Sequence, residues 1–427
     1  MFHFIKNIYL WSVKIYIKLR MKSVAIVARI LLGATFIFSG FVKGVDPWGS
    51  TYKFIDYFTA FHITWMQPAA FVLAIFQNAL ELVIGVALVM GLRMKETAWG
   101  VLLFMGFYTP LTFILALTNP VTDCGCFGDA LILTNWQTFY KNLFFMALAV
   151  LVFVYRKKYT PAYSSVGEWI WVAMIAAVAV GISIHCHRHL PWLDFRPYHI
   201  GADVAQGMTV PEGKPTDEYA STVILEKNGV TKEFPVNDYP WDDTTWIYKD
   251  TRTVLVKKGY TPPIHDFSIT TDEGEDITDE VLTDDGFTFL LVAHRLNKSN
   301  RQAMDKASEL ADYCAEHGHR FYCLTASPQG EKEQMKSELA LTYDFCFTDD
   351  ITLKTMIRAN PGLVLLQKGT VLGKWHYNDM PDAASLNPNL LSFSLKQQAE
   401  KAGNKLINVL LLSFVCFAFI FYQFKNN

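Results

Sequence analysis

Residues 69–92 read AAFVLAIFQNALELVIGVALVMGL, an apolar run with Glu81 as its only charge. A helix of about 20 apolar residues is long enough to cross the hydrocarbon core of a bilayer. A surface helix of a soluble protein would instead carry polar residues along one face. This stretch therefore predicts a transmembrane helix, and it decides the fold class of the region around it.

Further apolar runs of the same character flank this one, and each carries at most one charge in its interior. They are residues 24–42, 97–117, 139–155, 169–185 and 406–424. The long segment between the last two runs is rich in Asp, Glu, Lys, Thr and Pro. The sequence thus predicts six membrane spans and a separate soluble part.

The overall composition agrees with a chain that has two unlike parts. Hydrophobic residues make up 51% and charged residues 18%, and 40 acidic residues nearly balance 38 basic ones. The balance is not that of a basic nucleic-acid binder. The 7 cysteines include no CxxC pair, which excludes a small disulfide scaffold and a four-thiolate zinc site.

Short loops rich in Lys and Arg predict the orientation, because such loops stay in the cytoplasm. They contain Lys6, Lys14, Lys18, Arg20 and Lys22 before the first run, Arg93 and Lys95 after the second, and Arg156, Lys157 and Lys158 after the fourth. Loops 43–68 and 118–138 and the soluble segment 186–404 are then outside. We expect a protein of the bacterial inner membrane with a periplasmic soluble domain.

The outer loop between the third and fourth runs places two thiols one glycine apart, in NPVTDCGCFGD at residues 119–129. Gly125 and Gly128 permit the backbone angles of a tight turn that brings Cys124 and Cys126 together. A disulfide across so short a stretch is strained, and strain makes it more reducible. We expect the pair to exchange disulfides with a partner. The alternative is a glycine-rich turn whose cysteines are incidental or bind a soft metal.

A cysteine and three histidines stand at the outer end of the fifth run, in IHCHRH at residues 184–189. The span count puts them at the same membrane face as the two thiols, so Cys186 is a candidate relay or resolving thiol. We predict no metal site. If a metal did bind here, His185 and His189 would be its candidate ligands, because they lie one helical turn apart. The alternative is that these histidines are solvated at the membrane interface.

Glu81 is the notable charge within the spans. A carboxylate at bilayer depth is costly and usually faces the bundle interior with a partner. Gln77 lies one turn before it and Asn78 lies nearby, and Lys43 at the end of the first run is a candidate ion-pair partner. We predict that Glu81 and Lys43 mark a proton or quinone path. The alternative is a packing hydrogen bond with no chemistry.

These residues give the region a family resemblance. Residues 24–156 resemble the DoxX-like membrane superfamily, and more narrowly its MauE (methylamine utilisation) branch, in SGFVK at 39–43, DP at 46–47 and DCGCFG at 123–128. The resemblance implies a four-helix membrane protein that supplies oxidising equivalents for disulfides in periplasmic proteins. It implies a redox role for both thiols of the loop. The link of other DoxX-like proteins to quinone-coupled oxidation makes a quinone the candidate cofactor, and we predict no other. It does not imply that methylamine is the substrate.

The soluble segment begins with β-rich residues. Alternating residues 221–225 and 231–234 flank Asn228-Gly229, which is a strong hairpin signal. Residues 245–248 and 253–257 predict a second ribbon of two strands.

From residue 264 strands and helices alternate, and a hairpin closes the series. The predicted strands are residues 267–270, 288–293, 320–325, 344–347, 362–367 and 370–376, and the predicted helices are residues 276–282, 301–317, 331–341 and 352–358. Alternation of this kind predicts a layered α/β domain.

The series resembles the thioredoxin-like fold, particularly its peroxiredoxin and TlpA-like members, over residues 264–382. Asn360-Pro361 and the hairpin after it match the segment that begins with the cis-proline of that family, so Pro361 is the expected cis-proline. The attacking cysteine of the family opens the helix after the central strand, where the helix dipole lowers its pKa. Residues 293–300, AHRLNKSN, hold no thiol there. The resemblance therefore implies a non-catalytic docking domain without the CxxC.

The predicted fold class is an α-helical membrane bundle, a DoxX-like four-helix core plus two further spans, with an α/β thioredoxin-like soluble domain. The expected parts are a basic cytoplasmic segment at 1–22, the four-helix domain at 23–158, a fifth transmembrane helix at 167–186, a β-rich connection at 190–262, the thioredoxin-like domain at 263–384 and a last transmembrane helix at 405–424.

Two functional hypotheses follow. The first is a membrane thiol–disulfide oxidoreductase that uses Cys124, Cys126 and Cys186 on periplasmic protein thiols or other envelope proteins, in contact with membrane lipid and without nucleic acid. The second is a non-enzymatic scaffold or assembly protein of the envelope, which presents a thioredoxin-like domain without catalytic thiols. Mixed-disulfide adducts distinguish the two.

Overall fold

The computed structural model describes residues 2–159, 163–216, 218–257, 259–386 and 390–400, and for residues 2–22 the backbone alone. Within these residues, five helices are long and apolar enough to cross a membrane. They are Ser23–Val45, Thr64–Met90, Met94–Thr118, Asn135–Lys158 and Ser165–Arg188. Five of the predicted spans are thus confirmed as long apolar helices. The sixth, residues 406–424, lies outside the described residues.

The helices of the N-terminal part follow one another with short connections. They are α1 (Phe2–Val45), α2 (Pro47–Ala60), α3 (Ala70–Met90), α4 (Met94–Thr118), α5 (Asn135–Tyr155) and α6 (Ser165–Arg188). Local signals fix several ends. The side chains of Thr134 and Gln137 form a capping box at the start of α5, and Gly91 ends α3 in the left-handed conformation, with φ of 75°.

Helices α1 and α3 pack closely because glycines lie between them. A Cβ atom at Gly40 would lie 2.6 Å from the backbone nitrogen of Leu82, and one at Gly85 would lie 2.5 Å from the backbone nitrogen of Ile37. Small residues allow such close approach of helices in membranes. This approach brings the outer end of α1 against Glu81 on α3.

Helix α2 was not anticipated, because the loop 43–68 was expected only to connect two spans. Its N-cap is Asp46, whose Oδ1 accepts a hydrogen bond from the backbone nitrogen of Gly49 at 3.0 Å. Pro47 opens the helix, where its missing N–H costs nothing. Tyr57 on α2 contacts the outer loop between α4 and α5, so α2 covers that end of the bundle.

Beyond a short helix α7 (Val204–Gly207), the β-rich segment forms a three-stranded antiparallel sheet. Its strands are β1 (Glu218–Lys227), β2 (Val230–Pro235) and β3 (Ile247–Lys257), in the order β2-β1-β3. Asn228 and Gly229 both have positive φ, which confirms the hairpin turn. The predicted second ribbon was wrong: β3 is one strand, because its polar middle residues pair with β1, as Asp250 does with Ile224.

The C-terminal domain has a six-stranded mixed sheet in the order β4-β7-β6-β5-β8-β9. Its elements are β4 (Thr270–Thr271), α8 (Thr278–Thr283), β5 (Phe287–Val292), α9 (Arg301–His317), β6 (Arg320–Thr325), α10 (Gln329–Leu339), β7 (Asp344–Phe347), α11 (Asp350–Met356), β8 (Gly362–Gln367) and β9 (Thr370–His376). Strands β5, β6 and β7 are parallel, and β8 and β9 are antiparallel to their neighbours.

Helices cover both faces of this sheet. Met304 of α9 and Met335 of α10 belong to the apolar core of one face, and Val281 of α8 and Leu353 of α11 belong to that of the other. This layering and strand order confirm the thioredoxin-like fold. The predicted first strand was placed too early. Ile269 is buried but outside the ladder, because β4 pairs with β7 only at Thr270–Thr271.

Candidate functional site

The two thiols of the outer loop lie side by side. The Sγ atoms of Cys124 and Cys126 are 2.9 Å apart. Gly125 between them has a φ of 66°, in the left-handed region that other residues resist. Cys124 is buried and Cys126 is partly exposed. Cys126 is thus the more exposed residue of the two.

Side chains from outside the turn hold it in place. The Oδ1 atom of Asp123 accepts a hydrogen bond from the backbone nitrogen of Gly125 at 2.7 Å, and its Oδ2 atom pairs with Lys53 Nζ at 2.7 Å. The hydroxyl of Tyr57 donates to the carbonyl oxygen of Cys124 at 2.8 Å. Burial raises the pKa of Tyr57, so this hydroxyl stays protonated as a donor. Lys53 and Tyr57 both come from α2.

Directly inside the turn lies a buried ion pair. Lys43 Nζ is 2.5 Å from Glu81 Oε1, and both side chains are less than a tenth exposed. The Nε2 atom of Gln77 also donates to Glu81 Oε1, at 2.9 Å. The Oγ atom of Ser39 lies 2.6 Å from Glu81 Oε2 and 2.7 Å from the carbonyl oxygen of Cys126. The structure therefore brings together the ion pair and the thiol loop that the sequence analysis treated separately.

A cavity of about 220 Å³ adjoins both the thiols and the ion pair. Aromatic side chains form much of its wall: Phe36, Phe54, Phe58, Phe61, Phe104, Phe107, Phe127, Phe145, Tyr57 and Tyr108. Phe61 and Phe107 are also exposed on the outside of the bundle, so the cavity reaches the surface of the helices. A largely apolar chamber with a few convergent polar groups is typical of a small-molecule site.

The two thiols differ in their affinity for a proton. The hydrogen bond from Cys124 lowers the pKa of the Cys126 thiol to about 6, although burial acts in the opposite direction, and the positive charges of Lys141 and Lys43 lower it further. The same hydrogen bond and burial raise the pKa of Cys124. A thiolate is the reactive form of cysteine. Cys126 is therefore the more acidic thiol of the pair.

The thioredoxin-like domain contacts this end of the bundle through Arg358, which follows α11. Its Nη2 atom is 3.0 Å from Asp46 Oδ2 and 3.1 Å from Asp129 Oδ2. Burial alone would raise the pKa of Asp46, but the charges of Arg358 and Arg196, together with hydrogen bonds from Arg358 and Gly49, outweigh burial and lower it. A cleft of about 210 Å³, lined by both charged and apolar side chains, lies between the domains. Gly125 borders both this cleft and the apolar cavity, so the thiol turn separates the two.

Other predicted site residues lie apart from the thiol pair. Cys186 is fully buried in α6 and is not among the residues that line the cavity. His189 Nδ1 is 2.7 Å from Asp379 Oδ1 of the thioredoxin-like domain, and the ring centroid of His185 is 4.7 Å from that of His189. Among the described residues, no three His, Cys, Asp or Glu side chains form a group that could hold a metal ion.

The cis-proline position has the expected geometry, since the Asn360–Pro361 peptide bond is cis. His294 lies two residues after β5, in the segment before α9 where the resemblance leads one to expect a catalytic thiol, and burial lowers its pKa to about 4. This segment thus holds a neutral imidazole and no thiol.

Sequence reasoning missed several residues of the site. Lys141 is the single charge in the run 139–155. A lone charge inside a predicted span, as at Glu81, is the signal that could have found it. Tyr57, Lys53 and Arg358 carried no local signal, because their roles arise from contacts with residues far away in the chain.

Two family models match parts of the chain. The model described as Methylamine utilisation protein MauE matches residues 21–155. The model described as Domain of unknown function (DUF8463) matches residues 219–258, which contain the three-stranded sheet. No curated protein matches the chain significantly. Residues 21–155 are therefore a MauE-type membrane domain, and that resemblance is confirmed.

Several solved structures are similar to the C-terminal region. A putative protein disulfide isomerase from Bacteroides thetaiotaomicron is 16% identical, with 32% of this chain and 91% of that chain covered and a TM-score of 0.25. StoA from Bacillus subtilis is 17% identical, with 28% of this chain and 92% of that chain covered and a TM-score of 0.24. A putative thiol:disulfide interchange protein DsbE from Chlorobium tepidum is 12% identical, with 31% of this chain and 92% of that chain covered and a TM-score of 0.24.

Proposed function

We propose that this MauE-type membrane protein is a thiol–disulfide oxidoreductase whose reactive centre is Cys124 and Cys126. The observation that carries the proposal is the pair of adjacent sulfurs in a held turn, one with a lowered pKa, at the wall of an apolar cavity. The oxidised pair would accept two electrons from a dithiol of an extracytoplasmic protein. The partner thiol would attack Cys126, because that residue is the more exposed of the two.

The apolar cavity fits an electron acceptor of the quinone class. Its aromatic wall suits a flat ring, and Lys43, Glu81 and Tyr108 supply polar groups at the wall. A bound quinone accepts two electrons and two protons. Lys43 and Glu81 would form the polar path for those protons, and the aromatic wall would exclude water from the sulfurs.

The proposed orientation places the thiol turn outside the cytoplasm. Arg93 and the basic residues 156–158 lie at the ends of α3 and α5, whereas the thiol turn connects the opposite ends of α4 and α5. Basic loops remain in the cytoplasm. We propose a bacterial inner membrane location with the thioredoxin-like domain in the periplasm and protein thiols as partners.

Thiol trapping in native membranes tests the proposal. The Cys124→Ser variant should accumulate mixed disulfides through Cys126, because the second sulfur that resolves them is gone. The Cys126→Ser variant should form none. Cys314→Ser is the matched control, since Cys314 lies in the core of the thioredoxin-like domain. The proposal fails if the pair is always reduced and Cys124→Ser leaves partner oxidation unchanged.

The role of Cys186 is tested in the same experiment. A relay thiol would make adduct formation depend on Cys186, although its side chain is fully buried. Cys186→Ser should then change the adducts seen in the Cys124→Ser background. Unchanged adducts would remove Cys186 from the reactive centre.

A scaffold is the second candidate function. It is favoured by the thioredoxin-like domain, which lacks a thiol at residues 293–300 and is held against its own membrane domain by Arg358. A stable noncovalent partner together with no adduct through Cys126 would support this alternative.

A further inference from the structure

The hydroxyl of Ser39 is shared between two oxygen atoms that both need a donor. It lies 2.6 Å from Glu81 Oε2 and 2.7 Å from the carbonyl oxygen of Cys126. A serine hydroxyl has one proton to donate, and a carbonyl oxygen can only accept. If Glu81 is a carboxylate, its Oε2 atom and the carbonyl oxygen of Cys126 both need a donor, and the single hydroxyl proton of Ser39 can serve only one of them fully. If Glu81 carries a proton on Oε2, it donates to Ser39, and Ser39 then donates to Cys126.

The other oxygen of Glu81 identifies Oε2 as the atom that gains the proton. Oε1 already accepts from Lys43 Nζ at 2.5 Å and from Gln77 Nε2 at 2.9 Å. Those donors occupy Oε1 in either protonation state. Among the described residues, the hydrogen-bond partner of Oε2 is Ser39, so a proton on Oε2 would complete the chain from Glu81 to the thiol turn.

Charge on Cys126 connects this chain to the redox state of the pair. The negative charge of Glu81 opposes ionisation of Cys126 and so raises the pKa of that thiol. The positive charges of Lys141 on α5 and Lys43 on α1 have the opposite effect and lower this pKa. Tyr108 on α4 also borders the cavity. A low-dielectric chamber screens charges weakly. A thiolate on Cys126 and a carboxylate on Glu81 therefore repel each other across the chamber, and a disulfide removes that repulsion.

We propose, on the basis of the thiol–disulfide function above, that Glu81 stores the proton that Cys126 lacks when the pair is reduced, and that Ser39 is the positioning residue that couples the two. Reduction by a dithiol breaks the Cys124–Cys126 bond and forms a disulfide in the donor. Two electrons and two protons arrive. One proton binds the sulfur of Cys124, the other binds Glu81 Oε2, and Cys126 remains a thiolate. Reoxidation by a two-electron acceptor of the quinone class removes both protons and both electrons.

Infrared difference spectroscopy measures this proton directly. The full-length protein in lipid nanodiscs is reduced with dithiothreitol, and the spectrum of the oxidised form is subtracted. Reduction should add the carbonyl band of a protonated carboxylic acid. The band should vanish in Glu81→Gln, and also in Cys126→Ser, which cannot form the thiolate.

The variants of Ser39 test the coupling. Ser39→Ala should weaken the band at least about twofold, since one hydrogen bond contributes ~1 kcal/mol. Ser39→Thr keeps the hydroxyl and should keep the band. Thermal unfolding of both variants identifies a folding defect, and in that case wild type and Glu81→Gln alone decide whether Glu81 gains the proton.

Two results would overturn the inference: no carboxylic acid band on reduction, or a band that persists in Glu81→Gln. The outcome is separate from that of the trapping experiment. A band without any partner adduct would leave the proton assignment standing and reject the partner oxidation. Adducts without a band would reject the proton assignment alone.

Discussion

At the scale of single residues, the difference between Cys126 and Cys124 determines the chemistry. The hydrogen bond from Cys124 and the charge of Lys141 hold the pKa of Cys126 at about 6, whereas an ordinary cysteine has a pKa of about 8.5. Burial and the same hydrogen bond raise the pKa of Cys124. Under the proposed function, this difference would make Cys126 the nucleophile and Cys124 the resolving thiol.

This division predicts the pH dependence of alkylation. A lowered pKa means that the thiolate forms at lower pH, so the reaction of Cys126 with iodoacetamide should rise with pH and be half-maximal near pH 6. Cys314 is a buried control, since burial raises its pKa to about 12. Mass spectrometry of the reduced protein locates the modified residue. Preferential labelling of Cys124 would contradict the assignment.

The charge of Lys141 predicts a second shift. In Lys141→Gln the positive charge is lost, so the half-maximal pH for Cys126 should move upward by roughly one unit, which corresponds to about 1.4 kcal/mol. Lys95→Gln, at the opposite end of the bundle, is the control and should leave the midpoint in place. The same alkylation series measures both variants, and equal midpoints would exclude Lys141 as the cause.

At the scale of elements, glycines determine which helices meet. Gly40 and Gly85 let the backbones of α1 and α3 approach, and this approach sets Ser39 and Lys43 against Glu81. Ser39 and Lys43 are four residues apart on α1 and therefore share one face of it. The buried ion pair is thus a product of helix packing.

Gly40→Ala tests this dependence. The added Cβ would lie 2.6 Å from the backbone nitrogen of Leu82, so the helices must separate. We expect a loss of about 1–3 kcal/mol in the free energy of unfolding, the usual range for overpacking. Unfolding in detergent measures it. Gly181→Ala is the control, because no atom lies within 4 Å of its Cβ, and a similar loss in both variants would argue against the packing account.

At the scale of the whole molecule, Arg358 joins the two domains. It is buried and bridges Asp46, at the start of α2, and Asp129, just after the thiol turn. The thioredoxin-like domain thus contacts the end of its own membrane domain that carries the thiol turn, beside the residue pair that would react.

Arg358→Gln should release this contact. Removal of one partner from a buried ion pair costs on the order of 3–5 kcal/mol, because the remaining charge stays buried. We expect faster hydrogen exchange at residues 46–60 and 350–358, measured on the full-length protein. Arg301→Gln breaks the exposed pair with Glu338 and serves as control. Unchanged exchange in Arg358→Gln would show that other contacts hold the domains together.

The sequence by itself determined the features that depend on neighbouring residues. The apolar runs identified five long helices, the alternation of elements identified a layered α/β domain, and Asn228-Gly229 identified a hairpin, because length, periodicity and turn chemistry are local. It misplaced β4 and divided β3, since strand limits depend on the partner strand. Only the tertiary structure placed Ser39, Glu81 and Cys126 at the wall of one cavity and paired Arg358 with Asp46. Those contacts link residues far apart in the chain, and side-chain packing between elements decides them.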